Sequence, residues 1–243
     1  MVLAAGRGTR LRPLTDRLPK CMVPVGGKPL LEHTIEWLRG FGVTEVVISL
    51  SHLPDVVRGH FGDGERWGVR ITYSLEREPL GTAGGLKKAA WFFDGPFFVW
   101  YGDNLSTCNL ARLCETHRAK GGRATMALHW RDDPTQSGIV GLDKDERVVR
   151  FLEKPRPEEV FSHWVSAGIF VLERDVFDFI PEESVSDFGR DVFPSMLAAG
   201  ERLYGHRLSG DEGLWWVDTP QDYERLTRGG RESIGARFRR GGP

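Results

Sequence analysis

Residues able to grip phosphate gather at the start of the chain. Gly6-Arg7-Gly8-Thr9-Arg10 follows a short apolar run, Met1 to Ala5. Two glycines around an arginine let the backbone approach a ligand and adopt positive φ. Consecutive N–H groups in such a loop form an anion nest. Thr9 adds a hydroxyl and Arg10 a forked cation, and both suit phosphate oxygens. Lys20 supplies a second cation, in a segment that Pro13, Pro19 and Pro24 keep from being helical throughout. Much later, Gly102-Asp103-Asn104 follows the apolar run Pro96 to Tyr101. An aspartate just past a central strand can hold a divalent cation, since Mg2+ is commonly bound by one or two carboxylates plus phosphate oxygens. Plainer readings exist for both stretches: a glycine turn after a strand, and an Asp–Asn turn. The glycine loop is not the dinucleotide fingerprint, because Leu11 stands where the last glycine would be. It is not a P-loop either, because no Gly-Lys-Ser/Thr closes it.

The surrounding patterns say what must position these groups. Pro29 to Phe41 has apolar residues at helical spacing, with glycines to stop it. Val43 to Leu50 is mostly β-branched, His52 to Phe61 reads as helical, and Val69 to Ser74 alternates as a strand does. Strand and helix in alternation predict a parallel sheet with helices on its faces. In such sheets ligands bind beyond the carboxyl ends of the strands, where the glycine loop falls. Further strands are expected at Pro96 to Tyr101, Ala124 to Trp130, Trp164 to Leu172 and Glu201 to Arg207, with a hairpin-like pair around the turn at 143–147. Helices are expected at Leu110 to Lys120, from Asp187 (as N-cap) to about Ala199, and from Pro220 to Leu226. His33, His52 and His60 read as surface or cap residues.

Leu3-Ala4-Ala5-Gly6-Arg7-Gly8-Thr9-Arg10-Leu11-Arg12-Pro13-Leu14-Thr15, followed by Pro19-Lys20, closely resembles the signature of the sugar-1-phosphate nucleotidyltransferases, guanylyltransferases of mannose 1-phosphate among them. The resemblance runs from Met1 to about Leu226. It implies a Rossmann-like three-layer αβα sandwich with a mixed, mainly parallel sheet, as one catalytic domain over residues 1–227. It implies a loop that wraps an NTP through Leu3, Ala5, Gly6, Gly8, Thr9 and Arg10. It also implies a base-binding loop at Leu80-Gly81-Thr82-Ala83-Gly84, with Glu76 reading the base edge beside Gly81 and Thr82. A carboxylate there can accept both edge donors of guanine, N1–H and N2–H₂, which favours GTP. Phe151-Leu152-Glu153-Lys154-Pro155 matches the family's sugar-phosphate motif. It assigns Glu153 to sugar hydroxyls and Lys154 to the sugar phosphate, with Gly138 and Ser166 beside them. Ser166 replaces the usual Asn. Mg2+ would be held by Asp103 and by Asp218 of Trp215-Trp216-Val217-Asp218-Thr219-Pro220, where the family pattern is shifted. Arg10, Lys20 and Lys154 would be the catalytic cations.

The resemblance thus implies NDP-sugar and pyrophosphate made from an NTP and a sugar 1-phosphate, with GTP and mannose 1-phosphate first. UTP, dTTP or CTP with glucose 1-phosphate or another sugar or alcohol phosphate is the runner-up. A non-catalytic homologue that binds nucleotide sugar is the other class. A sugar-transferring enzyme is disfavoured, because Leu105 stands where a second acidic residue would complete D-x-D. The chain has 243 residues and a formal charge of −1, which gives no global electrostatic case for nucleic acid. No apolar run approaches the ~20 residues needed to span a membrane. Three cysteines without a CxxC pair point to a reducing cytoplasm. Residues 228–243, rich in Gly and Arg, are expected to form a flexible basic tail, and a homodimer is allowed for.

Overall fold

The computed structural model describes residues 1–182 and 184–228. The expected tail therefore lies outside the described residues, apart from Arg228, which ends a helix. The chain divides into two compact units. Among the described residues the first is Met1–Pro79, Tyr101–Asn109 and 210–228, and the second is Leu80–Trp100 and Leu110–Ser209.

In the first unit the strands Val2–Leu3, Glu45–Leu50 and Arg70–Leu75 run parallel, with Ile48 opposite Val2 and Val46 opposite Ile71. The strand Glu45–Leu50 is buried over its last five residues, as a strand covered on both faces must be. The helices Leu30–Gly40 and Pro54–Phe61 connect these strands in the expected order. His33 departs from expectation. It is buried, and its Nε2 sits 2.9 Å from the Val25 carbonyl, so it joins the core with its polar atom satisfied.

A second, small sheet joins distant parts of the first unit. Asn104–Ser106 pairs antiparallel with Leu214–Trp216, with Asn104 opposite Trp216 and Leu105 opposite Trp215. Beneath it Leu11, Val23, Val25, Leu30, Leu105, Val217 and Leu226 form one buried apolar cluster. Each fully buried leucine contributes about 1.5–3 kcal/mol.

In the second unit the strand Trp164–Leu172 pairs antiparallel with Phe97–Tyr101 and with Ala124–Trp130. Leu203–Arg207 runs parallel to Ala124–Trp130 on its other side. The expected hairpin is present: Gly138–Leu142 and Val148–Glu153 are antiparallel, with Gly138 opposite Glu153. The Ala167-Gly168 step is a register shift between Ser166 and Phe170, with Gly168 at φ 69°. Ser166 Oγ accepts the Gly168 N–H at 3.4 Å.

One element begins earlier than its composition suggests. The helix spans Gly81–Lys88, so three glycines lie inside it where a loop is expected. Its packing explains two of them, Gly81 and Gly84. A Cβ at Gly81 would lie 2.4 Å from the Ser186 carbonyl oxygen, and one at Gly84 would lie 2.5 Å from that of Ser184. Gly81 also has φ 77°, which a side chain resists. Gly81→Ala should therefore cost about 3 kcal/mol, combining backbone strain with overpacking. Urea denaturation of wild type and variant measures it.

Candidate active site

The register of the small sheet builds the centre of the first unit. Because Asn104 faces Trp216, Asp103, one residue before that pair, and Asp218, two residues past it, are brought to the same end of the small sheet. Lys20 lies between them: its Nζ donates to Asp103 Oδ2 at 2.6 Å and to Asp218 Oδ1 at 2.5 Å. Arg10 Nη2 stands 3.3 Å from the same Asp218 oxygen. The apolar cluster explains the convergence, since Leu11, Val23, Leu105 and Val217 each sit within three residues of one of these charged groups.

The glycine loop packs onto this centre. Gly8 has φ 61°, and a Cβ there would lie 2.9 Å from Lys20 Cβ. Thr15 Oγ1 donates to the Gly8 carbonyl at 2.8 Å, fixing the loop from below. Gly102 packs closely too: its N–H donates to the Leu3 carbonyl at 2.9 Å, and a Cβ would meet that same oxygen at 3.1 Å. The step from strand to Asp103 is therefore tight against the first strand. Leu3 ends the first strand, Ala5, Gly6 and Gly8 lead into the short turn Thr9–Leu11, and all belong to the same unit as Lys20. Glu76 follows Arg70–Leu75, is buried, and donates its N–H to the Leu50 carbonyl at 2.7 Å.

Lys20 is only 9% exposed. Burial disfavours its ammonium, but the Asp103 and Asp218 carboxylates outweigh that and raise its pKa above the usual lysine value. The stability this contributes is present below the ordinary lysine pKa and is lost as pH rises through the raised one. Two cations and two carboxylates leave the group neutral.

The geometry fits a hard cation. Two carboxylates hold one ammonium between them, and they are the donor type Mg2+ takes. Among the described residues no group of three or more His, Cys, Asp or Glu is placed so that it could hold a metal ion. Substrate oxygens would have to complete the coordination.

The second unit gathers the residues the resemblance assigns to sugar phosphate. The hairpin register sets Gly138 opposite Glu153. A Cβ at Gly138 would lie 2.7 Å from Glu153 Oε2, so the glycine gives the carboxylate its room. Lys154 takes φ 49°, and its N–H donates to the Ser137 carbonyl at 3.1 Å. A non-glycine residue in the left-handed region marks a position held there by its surroundings. Burial and the nearby Asp187 raise the Glu153 pKa, with Lys154 and Arg190 opposing. Thr82 does not stand free at the helix start: its hydroxyl donates to Asp187 Oδ2 at 2.8 Å and accepts the Phe188 N–H at 3.0 Å. Asp187 is the N-cap the sequence predicts, accepting from the Gly189 and Arg190 N–H groups. Its tie to Thr82 carried no signal in the sequence, because the two lie 105 residues apart.

A family profile described as nucleotidyl transferase matches residues 1–227. The chain belongs to the nucleotidyl transferase family. It is 38% identical over 249 residues to the mannose-1-phosphate guanylyltransferase of Mycobacterium tuberculosis, covering 99% of this chain and 68% of that protein. It is 37% identical over 245 residues to the UTP–glucose-1-phosphate uridylyltransferase of Synechocystis, covering 94% and 62%. The chain thus spans roughly two thirds of the length of these nucleotidyl transferases. HddC from Yersinia pseudotuberculosis, solved with GMP-PN, superposes with a TM-score of 0.78 at 24% identity over 94% of this chain and 97% of that one. A Bacillus anthracis chain solved with sucrose reaches 0.82, also at 24%, over 98% and 97%. These likenesses show the fold: a mixed, mainly parallel sheet with flanking helices, as in nucleotide-diphospho-sugar transferases.

Proposed function

We propose that the chain transfers a nucleotidyl group from an NTP to a sugar 1-phosphate, releasing pyrophosphate, with GTP and mannose 1-phosphate as the preferred pair. Residues 1–227 would serve as one catalytic domain. The observation that carries this reading is the neutral group of Arg10, Lys20, Asp103 and Asp218 packed against the glycine loop.

Such a group is suited to receive a triphosphate. Arg10 and Lys20 exchange their carboxylate partners for phosphate oxygens, and the nest at Gly6–Arg10 adds backbone N–H groups. Asp103 and Asp218 would then hold Mg2+, which when bound would supply Lewis-acid charge at the α-phosphate. Lys154 holds the incoming sugar phosphate, and Glu153 accepts from sugar hydroxyls. The attacking phosphate oxygen is already anionic, so no protein nucleophile or strong base is needed. Catalysis is positioning and charge neutralisation. The carboxylate of Glu76 accepts from guanine N1–H and N2–H₂. The pair UTP and glucose 1-phosphate is the second reading, supported by the Synechocystis relative.

Pyrophosphate release, each NTP against a panel of sugar 1-phosphates, tests the proposal. GTP with mannose 1-phosphate should lead, and Glu76→Gln should cut GTP selectivity about tenfold. A pyrimidine NTP in front would discard the role of Glu76. Silence across the panel would favour a homologue that binds without catalysis. A second check uses pH. Below its raised pKa Glu153 is protonated and loses an acceptor oxygen. The KM for sugar phosphate should therefore rise on the acid side at a higher pH than for an ordinary glutamate, and Glu153→Gln should flatten that limb.

Among the described residues no helix is long and apolar enough to cross a membrane. All three cysteines are reduced thiols, two of them buried, in keeping with a cytoplasmic site of work. NTP and sugar 1-phosphate are the proposed partners, with no nucleic acid, and a homodimer is part of the proposal only as an option for solution measurement.

A further inference from the structure

Within the second unit a short segment, Ser186-Asp187-Phe188-Gly189, touches both the helix start at Gly81–Gly85 and the carboxylate of Glu153. On one side the Ala83 and Gly84 N–H groups donate to the Ser186 carbonyl at 2.9 and 3.1 Å, and the Ser186 N–H donates to the Leu80 carbonyl at 2.9 Å. Thr82 Oγ1 gives its single proton to Asp187 Oδ2 and accepts from the Phe188 N–H. On the other side, a Cβ at Gly189 would lie 2.6 Å from Glu153 Oε2. A Cβ at Gly138 would lie 2.7 Å from the same oxygen, so the two glycines together leave the slot that this carboxylate oxygen fills. Phe188 is fully buried and stacks on Phe193, with ring centroids 5.4 Å apart, so the segment cannot shift without moving the core.

Asp187 joins the two sides. One carboxylate oxygen takes the Thr82 hydroxyl, and the other takes the Gly189 N–H at 2.9 Å. A displacement at Thr82 is therefore passed through a rigid carboxylate to the glycine that defines the room for Glu153.

We propose that Asp187 is a positioning residue that ties the base-side helix start, through Thr82, to the sugar-side carboxylate Glu153. The proposal rests on the nucleotidyltransferase reading above. In it, Thr82 serves the nucleotide by placing its loop, since its hydroxyl proton is already spent on Asp187. Occupancy of the base site then tightens the slot around Glu153, and the two substrates assist each other's binding.

Asp187→Asn and Thr82→Val, alone and combined, test this. The asparagine keeps an oxygen for the Gly189 and Arg190 N–H groups, so the helix cap survives, while the acceptor facing Thr82 is replaced by a donor. Asp187→Asn should raise KM for both substrates about tenfold, with kcat falling less. Thr82→Val should raise KM for the sugar phosphate by a similar factor, although Thr82 is assigned to the other substrate. The double variant should be no worse than the poorer single one. Amide exchange at Ala83 and Gly84 should quicken in each variant, measured without any substrate. An unchanged sugar-phosphate KM in Thr82→Val, or effects that multiply in the double variant, would overturn the coupling. So would unaltered exchange in Asp187→Asn. Absence of turnover in the wild type would instead strike the underlying reading, and the exchange measurement keeps the two failures apart.

Discussion

Replacing Lys20 by methionine should lower turnover about a thousandfold, while the fold survives with reduced stability. The activity loss follows from removing a preorganised cation from beside a triphosphate; single charge-stabilising donors are commonly worth 10²–10³ in rate. The stability loss has a separate source. Nζ is the partner of both Asp103 and Asp218, and without it two carboxylates face one another. Breaking a fully buried pair costs about 3–5 kcal/mol. Here Asp103 is 38% exposed and Asp218 keeps Arg10, so about 1–2 kcal/mol is expected. Methionine matches the length of the lysine stem, so the packing against Gly8 should persist. Added Mg2+ should raise the Tm of this variant more than that of the wild type, because the ammonium no longer competes for the carboxylates. Thermal melts with and without Mg2+, beside steady-state turnover, check both parts. Equal Mg2+ response in the two proteins would mean the carboxylates are not the cation's site.

Asp103→Asn should have an effect of similar size for the opposite reason. It preserves the shape of the step after Tyr101 and removes one negative charge. Lys20 keeps Asp218, and Arg10 keeps the same partner, so the local group gains a net positive charge. Nucleotide should still bind, since the added charge favours an anion. Turnover should fall about a thousandfold, because a hard cation loses one of the two carboxylates the chain offers it. Nucleotide affinity by calorimetry, set against single-turnover rates, separates the two effects. Weakened binding with an unaltered chemical step would assign Asp103 to nucleotide binding instead.

Much of this site was legible in the sequence because its parts are local. Gly6 to Arg10, Gly102-Asp103 and Glu153-Lys154 each carry their chemistry within a few residues, and the strands that bear them alternate plainly. What could not be read was tertiary. Nothing near Lys20 says that its ammonium will lie between two aspartates. That depends on the register of Asn104–Ser106 against Leu214–Trp216. The helix beginning at Gly81 was hidden by its own glycines. Gly81 and Gly84 let the backbone of Ser186 and Ser184 approach, a contact made across about a hundred residues. His33, expected at the surface or at a cap, is buried with Nε2 against a backbone carbonyl, which leaves no trace in side-chain patterns.

The measurement that tests the central claim most directly follows oxygen through the reaction. Mannose 1-phosphate with ¹⁸O in its phosphate is incubated with GTP and Mg2+, and the products are read by ³¹P NMR. The account predicts that the labelled phosphate enters the nucleotide sugar whole, with one of its oxygens bridging to the α-phosphorus, and that pyrophosphate is released unlabelled. Label in pyrophosphate, or a labelled sugar phosphate left intact beside hydrolysed nucleotide, would contradict it.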